Sequence, residues 1–140
     1  MDTTSLVDNL IQDGQKLLER LPQEGFDVTA AFWVKEPETA EREERWRFCI
    51  VSPIAEREGL ARGYGRLHAL IQQMPCPFGI DGLKVKLLGP MDPMAQDVLN
   101  IHRVHPRTAT CPTLWEGKTL GGVSIAGAYL YPPPALATAK

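Results

Sequence analysis

Hydrophobic residues recur at helical spacing in two long segments of the chain. In SLVDNLIQDGQKLLERLPQEG (residues 5–25), apolar positions three or four residues apart predict an amphipathic helix. In EREGLARGYGRLHALIQQ (residues 56–73), Leu60 and Leu67 belong to one apolar stripe and predict a second helix. Both helices are expected to bury that stripe against a core.

A third helix is predicted from its ends as well as from its apolar stripe. Asp92 is a good N-cap residue, Pro93 suits the first helical position, and Pro106 is expected to close the far end. Val98 and Ile101 lie on its predicted inner face.

Alternation of apolar and polar residues predicts strands between and after these helices. DVTAAFWVK (residues 27–35) and RWRFCIVS (45–52) predict a hairpin around a charged loop, and LKVKLLG (83–89) predicts a short strand. TLW (113–115) and VSIAGAYLY (123–131) predict two more strands, separated by turn residues.

The elements follow the order α-β-β-α-β-α-β-β, with no repeat and no internal linker. We predict a single α+β domain over residues 1–131, with a mixed sheet of about five strands and helices packed mainly on one face. Either β-α-β step could join parallel strands, and the pattern leaves this open. The proline-rich residues 132–140 are predicted to form an extended or disordered tail.

Composition and charge narrow the classes of function. The chain has 140 residues, 44% of them hydrophobic, which is enough to bury a core without disulfides or a metal. Its net charge of −2 argues against nucleic acid as a partner. The N-terminus has no basic signal-peptide region and no apolar run is long enough to cross a bilayer, so no membrane association is expected.

The cysteine and motif content adds two further expectations. Three widely spaced cysteines without a CxxC pair are typical of reduced thiols, which favours a cytoplasmic location. Dinucleotide-binding and phosphate-loop motifs are both incomplete in the sequence, so no cofactor is expected.

The segment IHRVHPRTATC (residues 101–111) raises the question of a metal site. His102 and His105 lie three positions apart, so both could reach one ion if the helix continued through them. However, the spacing H-x2-H-x5-C matches no closed zinc pattern, and Pro106 places the second histidine at or past the helix end. We therefore predict no metal site.

Two candidate binding surfaces follow from the arginines. Arg45 and Arg47 share one face of a predicted strand, and Trp33 is expected to pack on that face because aromatic and guanidinium groups stack well. The end of the third helix offers a second, cationic surface suited to an anion, made of His102, Arg103, His105 and Arg107.

The leading hypothesis is a non-enzymatic, cytoplasmic binding module that recognises an acidic partner or a small anion, or that self-associates. The alternative is a small enzyme with a Cys/His pair in residues 76–111, for which Cys76 with His102 or His105 is the first choice. Cys111 also lies in a predicted loop, where catalytic residues are often carried.

Overall fold

A computed structural model of the chain describes residues 8–41, 43, 45–75, 78–80, 84–109, 113–115 and 119–132. The α-helices are α1 (Asp8–Gln23), α2 (Ile54–Arg57), α3 (Leu60–Gln72) and α4 (Pro93–Val104), and a 3-10 turn spans Pro106–Ala109. The strands are β1 (Ala30–Glu36), β2 (Arg45–Val51), β3 (Val85–Leu88), β4 (Thr113–Trp115), β5 (Thr119–Leu120), β6 (Val123–Ser124) and β7 (Gly127–Leu130). The described residues form one α+β fold, and the predicted order of the main elements is confirmed.

Five strands form one mixed sheet in the order β3-β2-β1-β7-β4. Strand β1 lies at the centre and pairs antiparallel with β2 and β7, and β4 pairs antiparallel with β7. Strands β2 and β3 are parallel and are joined through α2 and α3, so this β-α-β step is the parallel one. The strands on either side of α4, β3 and β4, lie at opposite edges of the sheet.

Helices cover both faces of the sheet. Alternate side chains of β1 point to opposite faces and therefore enter two different cores. Ala31 and Trp33 pack in the core under α1, α2 and α3, whereas Phe32 and Val34 pack in the core under α4. Three of the four α-helices in the described part of the chain therefore lie on one face. Helix α4 and the β5–β6 hairpin cover the other.

The segment predicted as one helix over residues 56–73 contains two. Gly59 has φ of +88°, a left-handed conformation that ends one helix and precedes the next. Leu60 therefore becomes the first residue of α3, and its side chain is 52% exposed rather than buried.

The strand predicted over residues 123–131 is divided between two sheets. Gly121 and Gly122 both have positive φ and reverse the chain, so that β6 pairs with β5 and only β7 joins the main sheet. Most of the predicted tail, from residue 133 onward, lies outside the described residues.

Candidate functional site

At the edge of the sheet formed by β4, the apolar side chain of Leu114 is exposed to solvent. One row of side chains crosses all five strands, and its members in order are Val85, Phe48, Trp33, Tyr129 and Leu114. The first three are buried, Tyr129 is half-buried, and Leu114 is 62% exposed. The helices thus cover this row from β3 to β1, and the cover ends before β4.

The opposite edge of the sheet is protected. The backbone N–H of Leu87 in β3 donates a hydrogen bond of 2.8 Å to the hydroxyl of Tyr64 on α3. The exposed Lys86 lies next to it in the strand. Side-chain capping and charge are ordinary means of keeping an edge strand from pairing with another chain. The edge at β4 differs from this one in carrying the exposed apolar side chain of Leu114.

The C-terminal end of α4 lies beside β4. The rings of His105 and Trp115 meet edge to face, with centroids 5.4 Å apart. Arg103, His105 and Arg107 are all exposed, and we call these three residues the basic corner. Asp97 on α4 lines one surface depression together with Arg103, and Glu116 follows Trp115 in the sequence.

His102 is turned into the protein and is only 6% exposed. Its Nδ1 lies 2.9 Å from the hydroxyl of Thr108, and that hydroxyl donates at 2.9 Å to the carbonyl oxygen of His105. Because the hydroxyl proton is used for the carbonyl, the hydroxyl oxygen accepts from His102 Nδ1–H. The lone pair is therefore on Nε2, which is buried and has no hydrogen-bond partner among the described residues.

Burial lowers the pKa of His102, and its contact with Thr108 offsets only part of that effect. The ring is therefore neutral near neutral pH, and it presents no charge to an anion at the surface. The sequence carries a signal for the burial of His102. It follows the buried Val98 by four residues, so both side chains lie on the same face of α4.

The two histidines do not converge on a metal. His105 is the C-cap of α4, with non-helical φ and ψ of −117° and 86°, so its ring leaves the helical register of His102. Within the described ranges, no group of three or more His, Cys, Asp or Glu side chains is arranged to hold an ion.

The cysteine placement bears on the enzyme alternative. Cys76 and Cys111 lie outside the described residues, so their pairing with a histidine stays a prediction. Cys49 is buried in the sheet, and burial raises the pKa of its thiol to about 12. Its thiol therefore stays protonated and unreactive near neutral pH.

The expected placement of Trp33 beside Arg45 and Arg47 is wrong. Trp33 lies opposite Phe48 and stacks on it with ring centroids 4.8 Å apart, whereas Arg47 lies opposite Val34 on the other face. Trp33 is fully buried, and its Nε1–H donates to the hydroxyl of Tyr131 at 3.0 Å. Its side chain offers no surface to a partner.

The two hairpin arginines converge on one carboxylate. Arg45 Nε lies 2.7 Å from one oxygen of Glu36, and Arg47 Nε lies 3.2 Å from the other. Burial raises the pKa of Glu36, but the hydrogen bond from Arg45 and the charge of Arg47 outweigh it, so the pKa lies below its ordinary value of 4.5. Any anion at this place would have to compete with Glu36.

A surface depression lies between α1 and the loop that follows α3. Its lining combines polar side chains of α1 with apolar side chains of the loop, namely Asn9, Gln12, Asp13, Lys16, Met74, Pro75 and Phe78. The Asp13 carboxylate already accepts a 2.7 Å hydrogen bond from the backbone N–H of Gly79. This carboxylate therefore stabilises the loop.

None of the helices in the described ranges is long and apolar enough to cross a membrane. No protein-family model matches the chain, and no curated protein or solved structure matches it either.

Proposed function

We propose that this chain is a non-enzymatic binding module that takes an extended segment of a partner protein as an additional strand on β4. The observation that supports it is the position of β4 at the edge of the sheet with Leu114 exposed at its middle. Extended peptides commonly bind to such edges, where main-chain hydrogen bonds supply affinity and alternate side chains supply specificity. The cysteine pattern supports a cytoplasmic setting for this module.

The size of β4 bounds the strength of the interaction. A partner strand that covers Leu114 would gain about 1–2 kcal/mol, because full burial of a leucine gives about 1.5–3 kcal/mol and Leu114 is 62% exposed. Strand β4 spans only Thr113–Trp115, so it offers few main-chain groups to a partner. We therefore expect modest affinity from the edge alone, with contacts beside β4 supplying the rest.

The test is selection of peptides from a displayed random library on the intact protein. Binding of the selected peptides should be lost with Leu114→Lys and kept with Leu60→Lys, a matched change at a similarly exposed leucine. Leu60 begins α3, which packs on β3 at the other edge of the sheet, so it lies away from β4. Both changes replace exposed side chains, so both variants should fold.

Hydrogen exchange supplies the second readout. A bound peptide should slow exchange of the amides of residues 113–115. No enriched peptide, or peptides that bind Leu114→Lys as well as the unchanged protein, would contradict the proposal.

One observation favours the enzyme as a second candidate function: the buried Nε2 of His102 carries a lone pair that no described residue uses. In that case a thiol beside it, from Cys76 or Cys111, would be activated by proton transfer to Nε2. Alkylation of the folded protein near neutral pH, mapped by mass spectrometry, should then show one fast cysteine that is slowed by His102→Asn. Slow and equal labelling of all three cysteines would rule it out.

A further inference from the structure

We propose that the depression between α1 and the loop after α3 binds a small zwitterion with an apolar side chain, such as a free apolar amino acid. Its volume is about 550 Å³, and small-molecule sites ordinarily span about 300–1,000 Å³. None of the described residues that line it belongs to β4, so this inference does not depend on the proposed function.

Both walls of the depression are held in place by the protein itself. The Asp13 carboxylate on α1 accepts the 2.7 Å hydrogen bond from the backbone N–H of Gly79, which joins the loop to the helix. The backbone N–H of Met74 donates to the carbonyl oxygen of Ile71 at 3.1 Å and anchors the start of the loop on α3. A preformed site loses less conformational entropy when a ligand binds, so these contacts favour binding.

The α1 wall carries polar side chains whose hydrogen-bonding groups are available to a ligand. Its residues follow the spacing i, i+3, i+4, i+7 and therefore share one helix face: Asn9, Gln12, Asp13 and Lys16. Apart from Asp13, none of them forms a side-chain hydrogen bond or an ion pair within the described part of the chain. Elsewhere on α1, exposed polar side chains pair with each other. Gln15 donates to Glu19 at 3.2 Å, and Arg20 pairs in the same way with a glutamate four residues further on.

The charges of the depression favour a zwitterion. Among the described lining residues only Asp13 and Lys16 are charged, and no ion pair joins them. One oxygen of Asp13 is used by Gly79, and the other has no hydrogen-bond donor among the described residues. A simple anion would be attracted by Lys16 and repelled by Asp13, and a simple cation would meet the reverse. A ligand ammonium beside Asp13 and a ligand carboxylate beside Lys16 would instead form two charge-assisted hydrogen bonds.

The loop wall favours an apolar side chain on the ligand. This wall is itself apolar, with Met74 buried, Phe78 half-buried and Pro75 exposed. A ligand side chain placed on these residues would leave water, which is favourable for an apolar group. The amides of Asn9 and Gln12, on the other wall, provide further donors for the ligand carboxylate.

The experiment titrates the isotope-labelled intact protein with leucine and follows its backbone amides by NMR. Three analogues each lack one part of leucine: 4-methylpentanoate lacks the ammonium group, 3-methylbutylamine lacks the carboxylate, and glycine lacks the apolar side chain. We expect leucine to shift the amides of residues 9–16, 74, 78 and 79 at millimolar concentration. Each analogue should bind at least roughly 3-fold more weakly, because it loses one of the three contacts.

Charge variants test the two charged residues separately. Lys16→Gln should weaken the binding of leucine roughly 2- to 5-fold, since Lys16 is exposed and its ion pair is screened by water. Asp13→Asn removes the charge but keeps an oxygen for the N–H of Gly79, and it should weaken binding roughly 3- to 10-fold. The matched variant Lys86→Gln removes an exposed lysine of β3 and should bind as the unchanged protein does.

The amide shift of Gly79 in ligand-free Asp13→Asn checks that the loop stays on α1. If the loop moves in this variant, Lys16→Gln and the three analogues still decide the question.

Three outcomes would overturn the inference. No shift of the lining amides with leucine would show that the depression binds no such molecule. Equal binding of leucine and 4-methylpentanoate would identify a site for apolar anions rather than for zwitterions. Undiminished binding of leucine to both Lys16→Gln and Asp13→Asn would place the ligand elsewhere on the protein. None of these outcomes bears on strand docking at β4, which the selected peptides test.

Discussion

Acidification should weaken the folded protein through one buried histidine, His102. Its Nδ1–H is committed to Thr108, and Thr108 is committed to the carbonyl of His105. A second proton would have to go on Nε2, which has no acceptor among the described residues. Protonation would therefore create a buried charge with an unpaired donor, and the folded state resists it.

The direction of this pH effect follows from the pKa of His102 in the folded and in the unfolded protein. Burial holds the pKa of His102 in the folded protein below its ordinary value of 6.5, which the unfolded chain retains. The contribution of His102 to stability is fully present above pH 6.5. It is lost as the pH falls from 6.5 through the folded-state pKa, because only the unfolded chain takes up the proton.

The size of the pH effect is set by the uptake of one proton on unfolding. The free energy of unfolding should fall by up to about 1.4 kcal/mol per pH unit within this window. With a urea m-value of about 1–3 kcal/mol per molar, each pH unit moves the unfolding midpoint by roughly 0.5–1.4 M. That shift is readily measured against a typical total stability of about 5–15 kcal/mol.

The assay compares urea unfolding of the unchanged protein and of His102→Asn at a series of pH values from 8 to 5. Asparagine places an amide N–H near the position of Nδ1, so it retains a donor to Thr108 and removes the titration. Subtraction of the two profiles cancels every other ionisable group. The difference should be flat above neutral pH and should fall below it.

A difference that stays constant down to pH 5 would refute the reasoning. So would a ¹⁵N NMR spectrum of the imidazole showing that the proton resides on Nε2 at pH 8, because the hydrogen-bond chain requires it on Nδ1. Near-ultraviolet circular dichroism at pH 8 checks that His102→Asn keeps the native packing.

Two further predictions concern glycines. Gly121→Ala should lower the free energy of unfolding by roughly 2–4 kcal/mol, because φ is +61° and the added Cβ would lie 2.4 Å from the backbone nitrogen of Met94. Gly122→Ala is the control, since its φ is +81° but its Cβ would enter open space. In the same urea titration it should lower the free energy of unfolding by only about 1–2 kcal/mol. Gly14→Ala should destabilise α1 instead of giving the usual gain of about 1 kcal/mol, because its Cβ would lie 2.3 Å from the hydroxyl of Tyr131. In a Tyr131→Phe background that cost should shrink, and an additive double-mutant cycle would contradict this explanation.

The helices could be predicted because their signals are local. The Asp92 carboxylate accepts a 2.9 Å hydrogen bond from the N–H of Met94, as an N-cap residue should, and α4 ends at Val104, just before Pro106. Such contacts join residues within one helical turn, so they can be predicted from the local sequence. The role of Gly14 does not follow this rule, because the side chain that excludes a Cβ there belongs to Tyr131, far along the chain.

The faces of the central strand could not be predicted by alternation. Residues 30–34 of β1, AAFWV, are apolar throughout because helices bury both sides of this strand. A strand of this kind has no polar face from which its register can be read. The placement of Trp33 therefore depended on pairing with Phe48, which is a tertiary contact.

The candidate site was only partly predictable for a similar reason. Arg103, His105 and Arg107 stand out by their types and by their closeness in the sequence. Leu114 gave no signal, because an apolar residue in a short strand is ordinarily buried. Its exposure results from the strand order, which places β4 at an edge beyond the cover of α1 and α3.

The hydrogen-bond chain of His102 helps to fix the position of β4 beside α4. A three-residue strand makes few ladder contacts with β7, so its position depends on what packs beside it. His105 connects both parts, since its carbonyl ends the chain from His102 while its ring contacts Trp115 in β4. Strand β4 is thus positioned by α4 as well as by its pairing with β7. This arrangement separates the two kinds of variant: His102→Asn should act on the stability of the fold, whereas Leu114→Lys should act on binding alone.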